Sequence, residues 1–185
     1  MTAVVICGHN SHVNRWQWKQ IPVRMLYGEY ELTIDEKNRM LVPSELRKAF
    51  DPAIDGEAFF LVTGVNGKLW LYPEKYYESL ASQIRSEMAP EEDLLAFDQA
   101  NIAMASKVEW DKQGRIVIGE KVLRKASLGR EVMLLGVRDH AELWGRGDWE
   151  ERAAELDQRR AEIAVRAKQR NTVTQVSSGS EQEKH

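Results

Sequence analysis

The sequence predicts an α+β fold: a small pseudo-symmetric β-barrel made from two copies of one unit, with peripheral helices. Two observations carry this expectation. The first is an internal repeat. Residues 30–50 read YELTIDEKNRMLVPSELRKAF, and residues 108–127 read VEWDKQGRIVIGEKVLRKAS. Asp35 to Arg39 (DEKNR) align with Asp111 to Arg115 (DKQGR), and each is followed by an apolar triplet, Met40-Leu41-Val42 or Ile116-Val117-Ile118. Both copies then reach LRKA, at Leu46–Ala49 and Leu123–Ala126. A second apolar run follows in each, Phe59–Val62 or Val132–Leu135, and then a Leu-Trp pair, Leu69-Trp70 or Leu143-Trp144. Five parts in one order mark a duplication. The second observation is a change of period, from two within the copies to a helical spacing between and after them.

Each element has a local reason. Tyr30, Leu32 and Ile34 alternate with Glu29, Glu31 and Thr33, the pattern of a half-buried strand. Val108 and Trp110 repeat it. Asn38 and Gly114 occupy the same place in the two turns, and both tolerate positive φ, so each copy reads as a hairpin. Pro43-Ser44-Glu45 opens a short helix. Phe59–Thr63 and Lys68–Tyr72 read as a second hairpin, with Asn66-Gly67 as a type I′ turn. In the second copy, Arg138-Asp139-His140-Ala141 is the weaker corresponding turn. Two hairpins and a helical turn make half a barrel, and two units close it.

Pro73–Met88 places Tyr76, Tyr77, Leu80, Ala81 and Ile84 on one helical face. Pro90 opens a further helix with Glu91, Glu92 and Asp93 in its first turn, where the helix dipole favours anions. Asp148 and Glu151 have capping-box spacing before a stripe of Trp149, Ala153, Leu156, Ile163 and Ala167, broken by Arg160. The chain therefore divides into an extension at 1–24, a first unit at 25–75 and connecting helices at 76–106. A second unit at 107–150, a C-terminal helix at 151–170 and a flexible tail at 171–185 complete it. The tail is rich in Ser, Thr, Gln, Glu and Lys without periodicity.

Composition excludes several classes. The 185 residues are 43% hydrophobic and 30% charged, as in a soluble globular chain. The apolar stretch Ala3–Cys7 is too short for a signal-peptide core, and no run approaches the ~18 residues of a membrane span, so a cytoplasmic protein is expected. One cysteine excludes an intrachain disulfide framework. With 26 Lys and Arg against 29 Asp and Glu, the protein is not globally basic. Its charge is nevertheless segregated. Residues 107–130 hold seven bases against three acids, residues 24–48 five against five, and residues 74–98 two against seven. Segregation lets an acidic protein offer one basic face, although such segments usually form plain solvated surface. The chain lacks a P-loop, GxSxG or HExxH motif, which argues against an enzyme.

The DEKNR and DKQGR turns are the motif that occurs twice. As folding devices, Asp35 and Asp111 would bond turn amides, Asn38 and Gly114 would take the left-handed residue, and each Arg would pair with its Asp. As a binding device, the hairpin tip would present Lys37 and Arg39 to an anion. Arginine's planar fork suits phosphate and guanine edges, and a β-ribbon fits the major groove.

GEYELTIDEKNRMLVPSELRK resembles the opening of the MraZ family of bacterial transcriptional regulators. The resemblance extends from Met25 to about residue 165, through two AbrB-like swapped-hairpin units with a D-x-x-x-R turn in each. It implies a pseudo-symmetric swapped-hairpin barrel, homo-oligomeric rings and binding to direct repeats in double-stranded promoter DNA of the division and cell-wall gene cluster. Nucleoid association follows, and no cofactor or metal is implied. The family's DNA contacts map onto Lys37 and Arg39, with Asp35 positioning the turn. Asp111 and Arg115 match the second motif, which makes Arg115 a further candidate DNA contact with Asp111 and Gly114 positioning its turn. Asn38 stands where the first motif usually has Gly. Two other functions compete, an AbrB-type antitoxin and a ring-forming scaffold that binds proteins.

Met25 resembles the family's start, so residues 1–24 are expected to be an unordered extension. Its Cys7, His9 and His12 have metal-ligand spacing, but three ligands in a polar arm seldom form a site. Trp16, Trp18, Arg15, Lys19 and Arg24 could instead brush nucleic acid. Trp70 and Trp144 recur at equivalent places, which suggests packing. His140 is assigned no chemistry.

Overall fold

A computed structural model describes residues 25–87, 92, 95, 96 and 98–166. In chain order the elements are β1 (Glu29–Thr33), β2 (Arg39–Leu41), α1 (Ser44–Ala49), α2 (Pro52–Asp55), β3 (Ala58–Thr63), β4 (Leu69–Pro73) and α3 (Glu74–Glu87). One turn of π-helix (Asp98–Ile102) leads into β5 (Ser106–Glu109), β6 (Arg115–Val117), α4 (Glu120–Lys125), β7 (Glu131–Val137), β8 (His140–Gly145) and α5 (Arg146–Gln158). Beyond a break at Arg159, residues 160–166 are helical again. The order β-turn-β-α-β-β-α occurs twice among the described residues, with α2 inserted in the first copy.

The fold is mixed α+β, and the two copies exchange strands. A six-stranded antiparallel sheet runs β1-β7-β8-β4-β3-β5, and β2 pairs with β6 in a separate two-stranded ribbon. β1 of the first copy pairs with β7 of the second, and β5 pairs with β3. Read by equivalent strands, the six-strand order is a palindrome, so a pseudo-twofold axis passes through its centre. Leu69 opposite Leu143 marks the axis in the sheet, and Met40 opposite Ile116 marks it in the ribbon. Two backbone bonds obey the same symmetry: the Val42 amide donates to the Gly114 carbonyl, and the Ile118 amide to that of Asn38, each at 2.9 Å.

This exchange modifies the expected local hairpins. The first DEKNR turn reverses the chain, but only a bridge between Ile34 and Met40 joins its two arms. β2 then leaves β1 to pair with β6. Among the described residues the two ladders do not join into a closed hydrogen-bonded barrel. Side chains link them instead. Met40, Ile116, Leu61, Leu134 and Leu143 share one core, into which α1 and α4 insert the equivalent Leu46 and Leu123. Complete burial of Met40 and Ile116 contributes about 1.5–3 kcal/mol each. Phe50, Phe59 and Trp110 pack edge-to-face around one margin, with centroids 4.5–5.6 Å apart.

The other face of the sheet is covered by the equivalent helices α3 and α5. α3 packs Tyr77 with Val62 and Tyr72, with Tyr76 and Leu80 beside them, as the predicted helical face requires. α5 sets Trp149 against Met133, Leu135 and Trp144. Trp70 and Trp144 both lie on this packed face. α5 starts earlier than its capping-box spacing suggests. Gly145 is the N-cap without a side-chain bond, and Asp148 lies inside the first turn, paired with Lys68. The β3–β4 turn also differs from type I′. Of Asn66 and Gly67, only Gly67 has positive φ (74°). The Gly67 amide reaches the Gly64 carbonyl and the Gly64 amide reaches that of Lys68, the three-residue form with a left-handed glycine. No helix among the described residues is long and apolar enough to cross a membrane. The helix expected after Pro90 falls largely outside the described residues, as do 1–24 and the tail from 171.

Candidate nucleic-acid interface

The two D-x-x-x-R turns have the same geometry, bond for bond. Asp35 Oδ1 accepts the amides of Lys37 (2.8 Å) and Arg39 (2.9 Å), while Oδ2 accepts Arg39 Nε (2.7 Å) and lies 2.6 Å from Nη2. Asp111 Oδ1 accepts the amides of Gln113 (2.8 Å) and Arg115 (3.0 Å), and Oδ2 accepts Arg115 Nε (2.9 Å) and Nη2 (2.7 Å). The Asn38 and Gly114 amides close the turns onto the Asp35 and Asp111 carbonyls. Asn38 has φ 58° and Gly114 φ 81°, so the asparagine takes the left-handed position expected of it. Gly114 has a further reason to lack a side chain. A Cβ there would lie 2.5 Å from Cζ of Arg47, whose Nε donates to the Val42 carbonyl. The first unit's helix thus covers the second unit's turn.

Both aspartates are strong anchors. The side-chain bond from Arg39, followed by its amide, lowers Asp35 to about 2. The amide of Arg115, followed by its side chain, lowers Asp111 to about 2. Depressed pKa values mean that these carboxylates stabilise the turns above their unfolded range near 4 and lose that effect as pH falls through about 2. Carbon-detected NMR titration should therefore give midpoints near 2 for both side chains. A midpoint near 4 for either would show that its turn is not held this way.

The anchoring also determines what the arginines can still do. Each spends its Nε–Nη2 edge on its own aspartate, so three of the five guanidinium donors remain free of that pair. The Nη1–Nη2 end can still make a forked contact to phosphate or a guanine edge, and the aspartate holds the plane in one orientation. The two readings of the motif are thus compatible. Lys37 extends from the first turn, exposed, as Lys112 does from the second.

The ribbon places these groups on one surface. Met40 and Ile116 point inward, so their neighbours point outward. Arg39 lies opposite Val117, and Leu41 opposite Arg115. The arginine side chains are 31% and 29% exposed. The outward face is therefore an alternating square of two arginines and two aliphatic side chains. Leu41, Val117 and the covering Arg47 were not singled out as site residues from sequence. The period-two position of Leu41 and Val117, two residues after each arginine, was the available signal.

Other candidates fall elsewhere. The described residues contain no group of three or more His, Cys, Asp or Glu placed to hold a metal, and Cys7, His9 and His12 lie outside them. His140 is not in an open turn. It begins β8, buried between Asp139 and Glu142 on the helix-covered face, away from the ribbon.

A duplicated α+β unit that exchanges strands and carries one anchored arginine turn per copy defines a class of two-in-one proteins with a single symmetric ribbon face. The family model for the MraZ protein, described as antitoxin-like, matches residues 25–98 and again residues 102–171. Curated relatives named transcriptional regulator MraZ agree with it. That of Acetivibrio thermocellus is 35% identical over 126 residues, covering 68% of this chain and 85% of the relative. Those of Clostridium tetani and Thermoanaerobacter sp. (strain X514) are 31% and 32% identical, covering 69% and 76% of this chain and 86% and 94% of the relatives. The chain belongs to the MraZ family.

Proposed function

We propose that the protein is a non-enzymatic transcriptional regulator that binds direct repeats in double-stranded promoter DNA, with the β2–β6 ribbon as its reading head. The observation that carries this is the pair of Asp-anchored arginines, preorganised on an outward two-stranded ribbon of a size suited to the major groove. Arg39 and, on the second strand, Arg115 read base edges, and Lys37 meets phosphate. Asp35, Asn38, Asp111 and Gly114 hold these groups in place. The relatives' name supports regulation of transcription, and the target is the division and cell-wall gene cluster, in the nucleoid of the cytoplasm. The exchanged strands support a swapped-hairpin barrel, completed by side-chain packing where the ladders stop.

Few cations serve each subunit, so a ring engaging several repeats would gain affinity through effective concentration. Because β1·β7 and β5·β3 complete the exchange within one chain, further assembly uses other surfaces. The antitoxin reading draws on the family's antitoxin-like description. It differs in needing a toxin partner.

The test is a footprint on the DNA upstream of the chain's own gene, with light scattering of the free protein. Regularly spaced protection by a species larger than a dimer is expected. A monomer that protects nothing would contradict the proposal. Lys37→Ala should weaken all duplexes alike and reduce the salt slope by about one for each phosphate that the lysine neutralises.

A further inference from the structure

We propose that Leu41 and Val117 are specificity residues that contact thymine C5-methyl groups, so that each strand of the ribbon reads an arginine-selected base and a thymine together. This rests on the proposed role of the ribbon as the DNA-reading face.

Leu41 is 51% exposed and Val117 is 56% exposed, on strands whose central residues are completely buried. A single exposed aliphatic side chain calls for no explanation. Here two occur at positions equivalent under the internal repeat, each directly opposite an arginine. Cross-strand neighbours of this kind lie about 4.5–5.5 Å apart, so the four side chains form one continuous contact surface. Along either strand the arginine and the aliphatic residue are about 6.6 Å apart, from a rise of about 3.3 Å per residue. That is close to two base steps of about 3.4 Å. The thymine methyl is the one apolar group that a base presents in the major groove, and an aliphatic side chain complements it.

The surrounding charge favours a polyanion as the occupant. Asp35 and Asp111 are neutralised by their own arginines, and Lys37 and Lys112 stand exposed at the turns. Residues 107–130, which include β6 and α4, hold seven Lys and Arg against three Asp and Glu. Apolar contact flanked by cations fits a groove between phosphates better than it fits a second copy of this acidic chain.

The experiment uses the full chain and a fluorescein-labelled duplex that the protein enriches from random DNA, read by anisotropy. Each thymine is replaced in turn by deoxyuridine, which lacks only the methyl group. The wild type should lose about fourfold in affinity at one or more positions, the effect of one buried methyl-sized group. Leu41→Ala or Val117→Ala should bind the thymine and deoxyuridine duplexes alike at its own position, with unchanged melting and light scattering. Two results would overturn the inference while sparing the proposed function: indifference of the wild type to every replacement, or discrimination that persists in both variants. Disassembly by either substitution would assign the aliphatic pair to contact between copies and overturn it also. A chain that enriches no duplex overturns the proposed function together with this inference.

Discussion

Ile116→Ala should destabilise the protein by about 2–5 kcal/mol, the usual cost of truncating a buried aliphatic side chain. Ile116 is completely buried and faces Met40 on the pseudo-twofold axis, within the core shared by the sheet and both short helices. The cavity would border both units at once. Because β1 pairs with β7 and β5 with β3, neither unit holds all its strand partners without the other. Urea unfolding followed by tryptophan fluorescence and far-ultraviolet circular dichroism should shift as one coincident transition. Two separated transitions would show that the copies fold independently despite the exchange.

A second large effect should come from His140→Ala. The imidazole is buried, with Nδ1 2.8 Å from Asp139 Oδ1 and Nε2 3.4 Å from Glu142 Oε1. Its ring packs on Trp70 and Tyr72, with centroids 4.2 and 4.9 Å apart. Tyr76 Oη donates to Asp139, and Trp144 Nε1 and Asn66 Nδ2 donate to Glu142. Burial opposes the imidazolium, but the hydrogen bonds to Asp139 and Glu142 outweigh it and raise His140. Burial also opposes both carboxylates, yet the bonds from His140, with those of Tyr76 and Trp144, leave Asp139 and Glu142 lowered. Tyr72 and Tyr76 are raised by burial and stay neutral across this range. Removing the imidazole leaves Glu142 buried without its cation, at a cost of roughly 3 kcal/mol.

The pH dependence of this cluster has two signs. The raised histidine stabilises fully below its unfolded value near 6.5 and loses that effect as pH rises through its folded value. The lowered carboxylates stabilise above their unfolded range near 4 and lose that effect as pH falls through their folded values. Calorimetric Tm should therefore be greatest between about 4.5 and 6.5 and decline on the alkaline side. The alkaline decline should vanish in His140→Ala. A wild-type Tm that stays level from pH 6 to about 9 would show the ring to be neutral in the fold.

What was legible in the sequence was local or periodic. The repeat, the anchoring of Arg39 by Asp35, the left-handed Asn38 and the Tyr77 face of α3 each follow from spacings of a few residues. The exchange of strands was not legible from spacing. The alternation of Tyr30, Leu32 and Ile34 fits any antiparallel neighbour with the same period, and the duplicated unit supplies two. The His140 cluster was missed for a similar reason. Asp139 and Glu142 adjoin it in sequence, but only the covering α3 and the packed rings of Trp70 and Tyr72 turn an ordinary charged stretch into a buried ion cluster. Early initiation of α5 at Arg146 is likewise a tertiary effect: the helix begins at Gly145 without a side-chain cap, and its first turn is held by packing of Trp149 on Trp144.

The proposed function rests on the arginines at the two ends of the ribbon, and Arg39→Ala addresses it most directly. Affinity for the chain's own promoter duplex, read by anisotropy, should fall by about 1–3 kcal/mol per bidentate base contact and further across several engaged repeats. Melting and light scattering should change little, because a partly exposed surface ion pair contributes little to stability. Wild-type affinity in a folded Arg39→Ala protein, or a loss that appears only with unfolding, would contradict the ribbon as the reading head.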